Sequence, residues 1–557
     1  MRHVRTSLLI AVCGFVLSEA LPAQVEEALA AIRPQAIRAH MRFLSDDLLE
    51  GRGTATRGYD IAARYVAARF EELGLEPAGI PAGTGQSYLQ PVPMLQMTTV
   101  EAECSLTLLR DGREIELEYG PDYLVRSAVE EGNASAPVVF AGFGVTAPEL
   151  GYDDYAGLDV RGKIVAILLG SPSTFPSDQR AYYSDRAVQA RNAAARGAVG
   201  LLGIYTPERE RRFSWEAARR HSHRPSSSWV DEAGKPQFST LLPAAALSLK
   251  GAKELFAGAP STLEEIYAAG EAGRPPAFEL PVRARLRTTG RGKRAESPNV
   301  AAVLRGSDPK LRDEYVVLSA HLDHVGMEPA GTEGDTVDAV YNGAYDNASG
   351  IAVMLEVANA FTRLPAPRRS VLFLAVTGEE EGLNGSEYFA HYPTVPIDRI
   401  VANTNLDMFL MLYPLRDVIA FGAEHSSLDR VVREAAGRLG IEVSPDPFPE
   451  QVLFIRSDHY AFVKQGVPAI FLSVGLKSAD PEVDSKALWE KWMQEVYHKP
   501  GDDMSQAIDF GSGVQFAKLN FLISYQVAQD EKPPAWNPGD FFGDLFGRPG
   551  VLRSGRP

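Results

Sequence analysis

Asp346-Asn347-Ala348-Ser349-Gly350 is followed downstream by Gly378-Glu379-Glu380-Glu381-Gly382, and these two stretches decide the fold. In the first, an Asp closes a loop and opens an apolar helix over residues 351–361. In the second, the glutamates end a continuous apolar run, Val371-Leu372-Phe373-Leu374-Ala375-Val376. Working outward, residues 315–319, 400–402 and 468–472 are further buried-strand runs, and residues 519–527 form a closing helix. Unbroken apolar strands that alternate with helices predict an α/β fold: a mainly parallel mixed sheet sandwiched by helices. Ligands in such folds sit beyond the carboxyl ends of the strands. His321, Glu379 and Asp407 each fall just past such an end.

The residue types at those ends suit metal chemistry. Zinc takes imidazole nitrogen and carboxylate oxygen, and a pair of ions requires a carboxylate that bridges them. Asp346, between the first His and the glutamate run, is the natural bridge. His321 and Asp407 complete one position, and Glu380 and His498 the other. Glu379 is left beside a ligand, where a general base for a bound water belongs. Singly, each element has a plainer reading: a structural His-x-Asp, an exposed acidic turn, a helix-capping Asp, a packed Tyr497-His498 pair. Their joint occurrence, in order and each after an apolar strand or in a loop, favours the metal site.

Several multi-residue motifs then coincide: His321-x-Asp323, Asp346-Asn-Ala-Ser-Gly350, Glu379-Glu380-x-Gly382-Leu383-x-Gly385-Ser386 and Asn405-x-Asp407-Met408. Arg456-Ser457-Asp458-His459, Gly466-Val467-Pro468 and Tyr497-His498-x-Pro500 follow. Together they resemble the co-catalytic zinc aminopeptidases, metallopeptidase family twenty-eight, over residues 299–503, with a weaker match at Gly51-Arg52. The resemblance implies a zinc exopeptidase (phosphorylase/hydrolase-like) fold and two zinc ions held by His321, Asp346, Glu380, Asp407 and His498. It makes Glu379 the base and places Asp323 behind His321, on its far nitrogen. Tyr497 becomes a donor to the oxyanion and Arg456 an aid to substrate orientation. Peptides are the implied substrates and aminopeptidase the leading activity. A carboxypeptidase or dipeptidase of the same family, or a one-zinc glutaminyl cyclase, are the alternatives.

Residues 136–280 read as an insertion. The Asp153-Asp154-Tyr155, Gly162-Lys163-Ile164-Val165 and Arg196-Gly197-Ala198-Val199-Gly200 segments resemble the protease-associated domain, a non-catalytic α/β module, which implies a role in substrate access. Before it, Asp111-Gly112 between two alternating runs signals a hairpin. Residues 25–73 are helical, and the polar link Asp46-Asp47-Leu48-Leu49-Glu50-Gly51-Arg52 reads equally as a solvated connector or a reach into a cleft. The Arg- and Ser-rich stretch 209–228, with His221 and His223, reads as a mobile polar loop in preference to a metal pair.

The chain has 557 residues and a formal net charge of -16, which disfavours nucleic acid and anionic membranes as partners. Arg2 and Arg5, an apolar run over residues 8–17, and Ser18-Glu19-Ala20 or Leu21-Pro22-Ala23 have the form of a secretory signal peptide, too short for a membrane span. The expected end point is periplasmic or extracellular. Cys13 would leave with the leader, so Cys104 would be the one cysteine of the mature chain. The organisation expected is signal peptide 1–23, N-terminal part of the catalytic domain 24–135, insertion 136–280, catalytic domain 281–530 and a loosely docked tail 531–557.

Overall fold

The computed structural model describes residues 22–548 except 81, 82, 84, 239, 240 and 329–337. Residues 1–21 of the expected leader, with Cys13, and the tail beyond 548 lie outside the described residues.

The centre is a mixed sheet. Tyr315–His321 pairs in parallel with both Ser370–Val376 and Ile400–Leu406. Ile400–Leu406 runs parallel to Ala469–Val474, which meets Asp417–Phe421 antiparallel. Asp417–Phe421 then carries the short parallel strand Glu442–Ser444. Every residue of Tyr315–His321 and Ser370–Val376 is buried. Alternate side chains enter different cores, as the two-residue period requires. Val316, Leu318 and Ala320 join the core formed by helices Ser349–Thr362 and Phe510–Gln529 and the N-terminal helices. Tyr315 and Val317 join the opposite core, with Phe389 and Phe462. The expected mainly parallel sheet between helical layers is therefore the fold observed.

The 28-residue strand Ala277–Leu304 links this sheet to a second layer. Its last part pairs with Ser370–Val376, its middle with Leu89–Thr99, and its first part with Ser105–Arg110 and Glu131–Ala141. Ile164–Leu168, Gly200–Ile204 and Ala244–Leu247 run parallel beyond it. This layer has its own core, which includes Leu106, Leu108, Ile164, Leu202, Leu247 and Leu286. The expected boundaries at 136 and 280 thus fall inside strands, because the hairpin Ser105–Arg110/Arg113–Leu117 buries its apolar face in the second core. Period-two alternation marks a face for burial without saying which core receives it. The hairpin turn itself is as expected: Asp111 and Gly112 take φ of 50° and 74°, the two left-handed residues that a type I′ turn requires.

Two further expectations are corrected. Stretch 209–228 is not an unstructured loop: Pro207–Arg212 and Trp215–Arg220 are helices, and Ser226–Trp229 is a strand paired with Leu89–Thr99. The tail from Lys532 is not loosely docked over its described part. Phe542 is fully buried, and Trp536 is buried while its indole N–H donates to the Gly466 carbonyl at 3.0 Å. Its aromatic side chains, Trp536 and Phe542, are what anchor it.

Candidate metal centre

The site forms where the strands end. His321 is the last residue of Tyr315–His321; Glu379 and Glu380 follow Ser370–Val376, and Asp407 follows Ile400–Leu406. Asp346 lies in the turn Ala344–Ala348 that enters helix Ser349–Thr362, and the Asp346–Asn347 peptide bond is cis. His498 comes from a loop after helix Ser485–Glu495 and has φ 53°.

Side chains of the flanking residues hold these loops together. Asn347 accepts from the Gly350 and Met408 N–H groups at 2.9 and 3.1 Å and donates to the Leu406 carbonyl at 2.9 Å, which ties the Asp346 turn to the Asp407 loop. Gly350 is required there: a Cβ would lie 2.3 Å from the Asn347 amide oxygen. The Asp502 carboxylate accepts the N–H groups of Tyr345 and Asp346 at 2.9 and 3.0 Å. Arg52 is fully buried and donates to the carbonyls of Leu322, Asn342 and Gly343 at 2.9, 2.6 and 2.9 Å, and also to Leu44. The Asp46–Arg52 link therefore reaches behind the cleft and braces it.

Six of the sequence-derived residues converge. His321 Nε2 is 3.1 Å from Asp407 Oδ1 and 3.3 Å from Asp346 Oδ1. His498 Nε2 is 3.1 Å from Asp346 Oδ2 and 3.1 Å from Glu380 Oε2. Each oxygen of Asp346 thus faces a different imidazole–carboxylate pair. Glu379 lies beside this set, within the fields of His321, Asp407 and Glu380. Asp323 is close by but differs from expectation. Its main-chain carbonyl, not its carboxylate, meets His321 Nδ1 at 3.2 Å. The carboxylate instead accepts the N–H groups of Glu379 and Glu380 at 3.2 and 3.3 Å, orienting the glutamate turn. Tyr497 packs against His498 with ring centroids 3.9 Å apart and the planes tilted by 30°. Arg456 stands farther out, its guanidinium 5.3 Å above the Phe213 ring of the second layer.

The sequence reading missed His324. It is buried, its Nδ1 is 2.7 Å from Glu380 Oε1, and its Nε2 has no hydrogen-bond partner among the described residues. Burial pushes its pKa down, so the ring is neutral and Nδ1–H donates to Glu380. Its signal lies in His321-Leu-Asp-His324, one residue beyond the His-x-Asp motif.

The electrostatics are those of a cation site. Burial disfavours charge on His321 and His498, yet the neighbouring carboxylates hold both imidazoles well above their usual range. Against its own burial, Asp346 is held well below the carboxylate range by His321 and His498, and Glu380 is down at about 2, chiefly through His498. Glu379 moves the other way: burial, Asp407, Glu380 and Asp458 push it far up, and His321 opposes them. Within the protein alone, protons on two histidines supply the positive charge that the carboxylates demand. Divalent cations fit the same atoms, because imidazole nitrogens and carboxylate oxygens are zinc donors and Asp346 offers one oxygen to each side.

A mixed sheet covered by helices, with imidazoles and carboxylates gathered at its carboxyl-terminal edge, defines an α/β protein with a candidate metal centre. Residues 299–522 match the family model for Peptidase family M28. A probable zinc metalloprotease of Pyrenophora teres f. teres (strain 0-1) is 36% identical over 110 residues, 20% of this chain and 22% of that protein. Aminopeptidase YwaD of Bacillus subtilis (strain 168) is 26% identical over 245 residues, 43% of this chain and 46% of that protein. The chain therefore spans from about a fifth to about half the length of these curated relatives. An aminopeptidase from Aneurinibacillus sp. strain AM-1 shares the fold with a TM-score of 0.52 at 20% identity, over 93% of this chain and 98% of that one.

Proposed function

We propose that the protein is an exported zinc aminopeptidase that removes N-terminal residues from peptides. The observation that carries this reading is the shared carboxylate of Asp346, with His321 and Asp407 on one oxygen and His498 and Glu380 on the other. In this reading those five residues hold two zinc ions, and the second layer is a protease-associated domain. Bound zinc supplies Lewis acidity that activates water and polarises a carbonyl at neutral pH.

The chain's own residues do the rest. Glu379 takes the proton of the attacking water and returns it to the leaving amine. Cations held by the carboxylates around it would lower its raised proton affinity, which suits a group that must both accept and release a proton. Asp323 fixes the main chain of Glu379 and Glu380, so the two neighbours keep separate tasks. His324 holds Glu380 through the oxygen that His498 does not face. Tyr497, steadied on His498, donates to the developing oxyanion. Arg456 helps orient the substrate at the rim. The leader supports export, and among the described residues no helix is long and apolar enough to cross a membrane.

The test is metal content together with substrate class. Purified protein is expected to carry close to two zinc ions per chain and to hydrolyse aminoacyl substrates but not their N-blocked forms. Chelation abolishes the activity and added zinc restores it. Full activity with a single tightly bound ion, or preference for N-blocked substrates, would overturn the reading.

A further inference from the structure

Away from the metal centre, a cavity of about 550 Å³ opens between helices Pro34–Leu44, Arg57–Glu72 and Ser349–Thr362. Its polar wall includes Arg33, His40, Arg69, Glu356 and Arg363, and its apolar wall Ala36, Leu73 and Leu355. Glu356 lies seven residues beyond Ser349, where the helix leaves the Asp346 turn, or about 10 Å along the axis. The cavity is therefore separate from the centre, and the proposed chemistry does not use it. Its volume is that of a small-molecule site.

Two of its side chains are buried and incompletely bonded. Glu356 is 3% exposed; one carboxylate oxygen accepts the Arg33 N–H at 3.0 Å, and the other forms no hydrogen bond among the described residues. His40 is 4% exposed; its Nδ1 is 2.8 Å from the Tyr65 hydroxyl, and its Nε2 forms no hydrogen bond among the described residues. Burial, with Arg69 adding to it, pushes His40 down to about 4, so the ring is neutral and supplies no counter-charge to Glu356. The guanidinia are also left incomplete. Arg69 pairs with Glu72 but keeps a buried Nε without a hydrogen-bond partner among the described residues. Arg363 donates to the Asn359 amide oxygen at 3.4 Å. Arg33 and Arg363 are exposed, at the mouth of the cavity, and among the described residues neither forms an ion pair with a carboxylate. Arg33 also precedes the first turn of Pro34–Leu44, a helix end without a side-chain cap, where negative charge is favoured.

A buried carboxylate is costly until a cation or donor completes it, and a guanidinium fork matches a carboxylate with two parallel hydrogen bonds. A single zwitterion satisfies both demands: its ammonium meets Glu356, and its carboxylate meets the arginines at the mouth. Ala36, Leu73 and Leu355 leave room for an aliphatic side chain between them. We propose that this cavity binds a free aliphatic α-amino acid, held by Glu356 through its ammonium group and by Arg33 and Arg363 through its carboxylate. No residue of the metal centre takes part, so the site stands whether or not the chain is an aminopeptidase.

The experiment is equilibrium dialysis of the zinc-loaded protein against radiolabelled L-leucine. The competitors are L-leucinamide, which lacks the carboxylate, and N-acetyl-L-leucine, which lacks the ammonium. Leucine held at the metal centre is common to wild type and variants, so the cavity is read as the difference between them. The wild type is expected to bind one leucine more per chain than Glu356→Gln. Arg363→Gln is expected to bind that leucine about fivefold more weakly or worse, as loss of a charge-assisted bond requires. This second variant is altered only at the exposed rim, and it carries the test by itself if Glu356→Gln fails to fold. Neither competitor should displace the additional leucine at about tenfold excess. Equal leucine binding by the wild type and the folded variants, or displacement by either competitor as readily as by unlabelled leucine, would overturn the site.

Discussion

Glu379 and Glu380 are chemically identical and adjacent, and their surroundings separate them. Glu380 faces His498 and His324 with its two oxygens and is held down at about 2, the state of a ligand. Glu379 has His321 as the cation acting on it against Asp407, Glu380 and Asp458, and sits far above its usual range, the state of a proton carrier. Glu379→Gln should therefore keep its metal and lose about 10²–10⁴-fold in kcat, with KM changed much less. Glu380→Gln should lose occupancy of one zinc position together with activity. Zinc stoichiometry and steady-state kinetics on both variants check this; depleted zinc in Glu379→Gln with normal zinc in Glu380→Gln would reverse the roles. Residue types and order made Asp346, His321, Asp407 and His498 legible, because chemistry restricts which side chains bind metal. The orientation of Asp323 was not legible, since a carboxylate and its own main-chain carbonyl lie equally near in sequence and only the path of the loop decides which one meets His321.

At the scale of elements, the strands and helices of the catalytic layer followed from apolar runs, since a parallel strand covered on both faces has no polar alternation to blur it. The connections were harder to read. The link that holds Arg52 reads equally as a solvated connector or a reach into a cleft, whereas Arg52 is buried and satisfies main-chain carbonyls from three separate segments, at Leu44, Leu322 and Asn342-Gly343. No local pattern announces a side chain that caps backbone far away in sequence. Arg52→Met keeps the bulk but leaves those carbonyls buried without donors, each at a cost of about 1–3 kcal/mol. The variant should therefore be destabilised by several kcal/mol and bind zinc more weakly, because the Leu322 and Gly343 loops carry His321 and Asp346. Hydrogen exchange would localise the effect: faster exchange at residues 321–326 and 342–348 is expected, with the second layer unchanged. Uniform acceleration over the whole chain would mean that Arg52 acts on global stability alone.

At the scale of the whole molecule, the second layer, the catalytic layer and the C-terminal segment meet at one titratable cluster. His425 of the catalytic layer has Nδ1 2.7 Å from Asp540 of the C-terminal segment and 3.8 Å from Asp178 of the second layer. Glu424 and His459 also act on it, and Phe454 and Phe542 pack against its ring. The sequence could not show this junction, because its members are a lone His and two separate Asp residues with no motif among them. Burial works to lower the His425 pKa, but the bond from Asp540 and the charges of Asp178 and Glu424 outweigh it and leave it raised above 6.5. Burial, by contrast, raises Asp178, so both groups hold protons more tightly in the folded chain. A histidine raised on folding contributes stability that is full below its unfolded value of 6.5 and is lost as pH climbs through the folded one. The zinc-loaded protein should therefore lose thermal stability as pH rises above 6.5 through this junction. His425→Asn, neutral throughout, should flatten that part of the profile, and the difference between variant and wild type isolates it from other titrating groups. The measurement is the thermal midpoint of both proteins at fixed zinc and ionic strength. Parallel wild-type and variant profiles would show that the junction holds the layers together by packing of Phe454 and Phe542 rather than by charge.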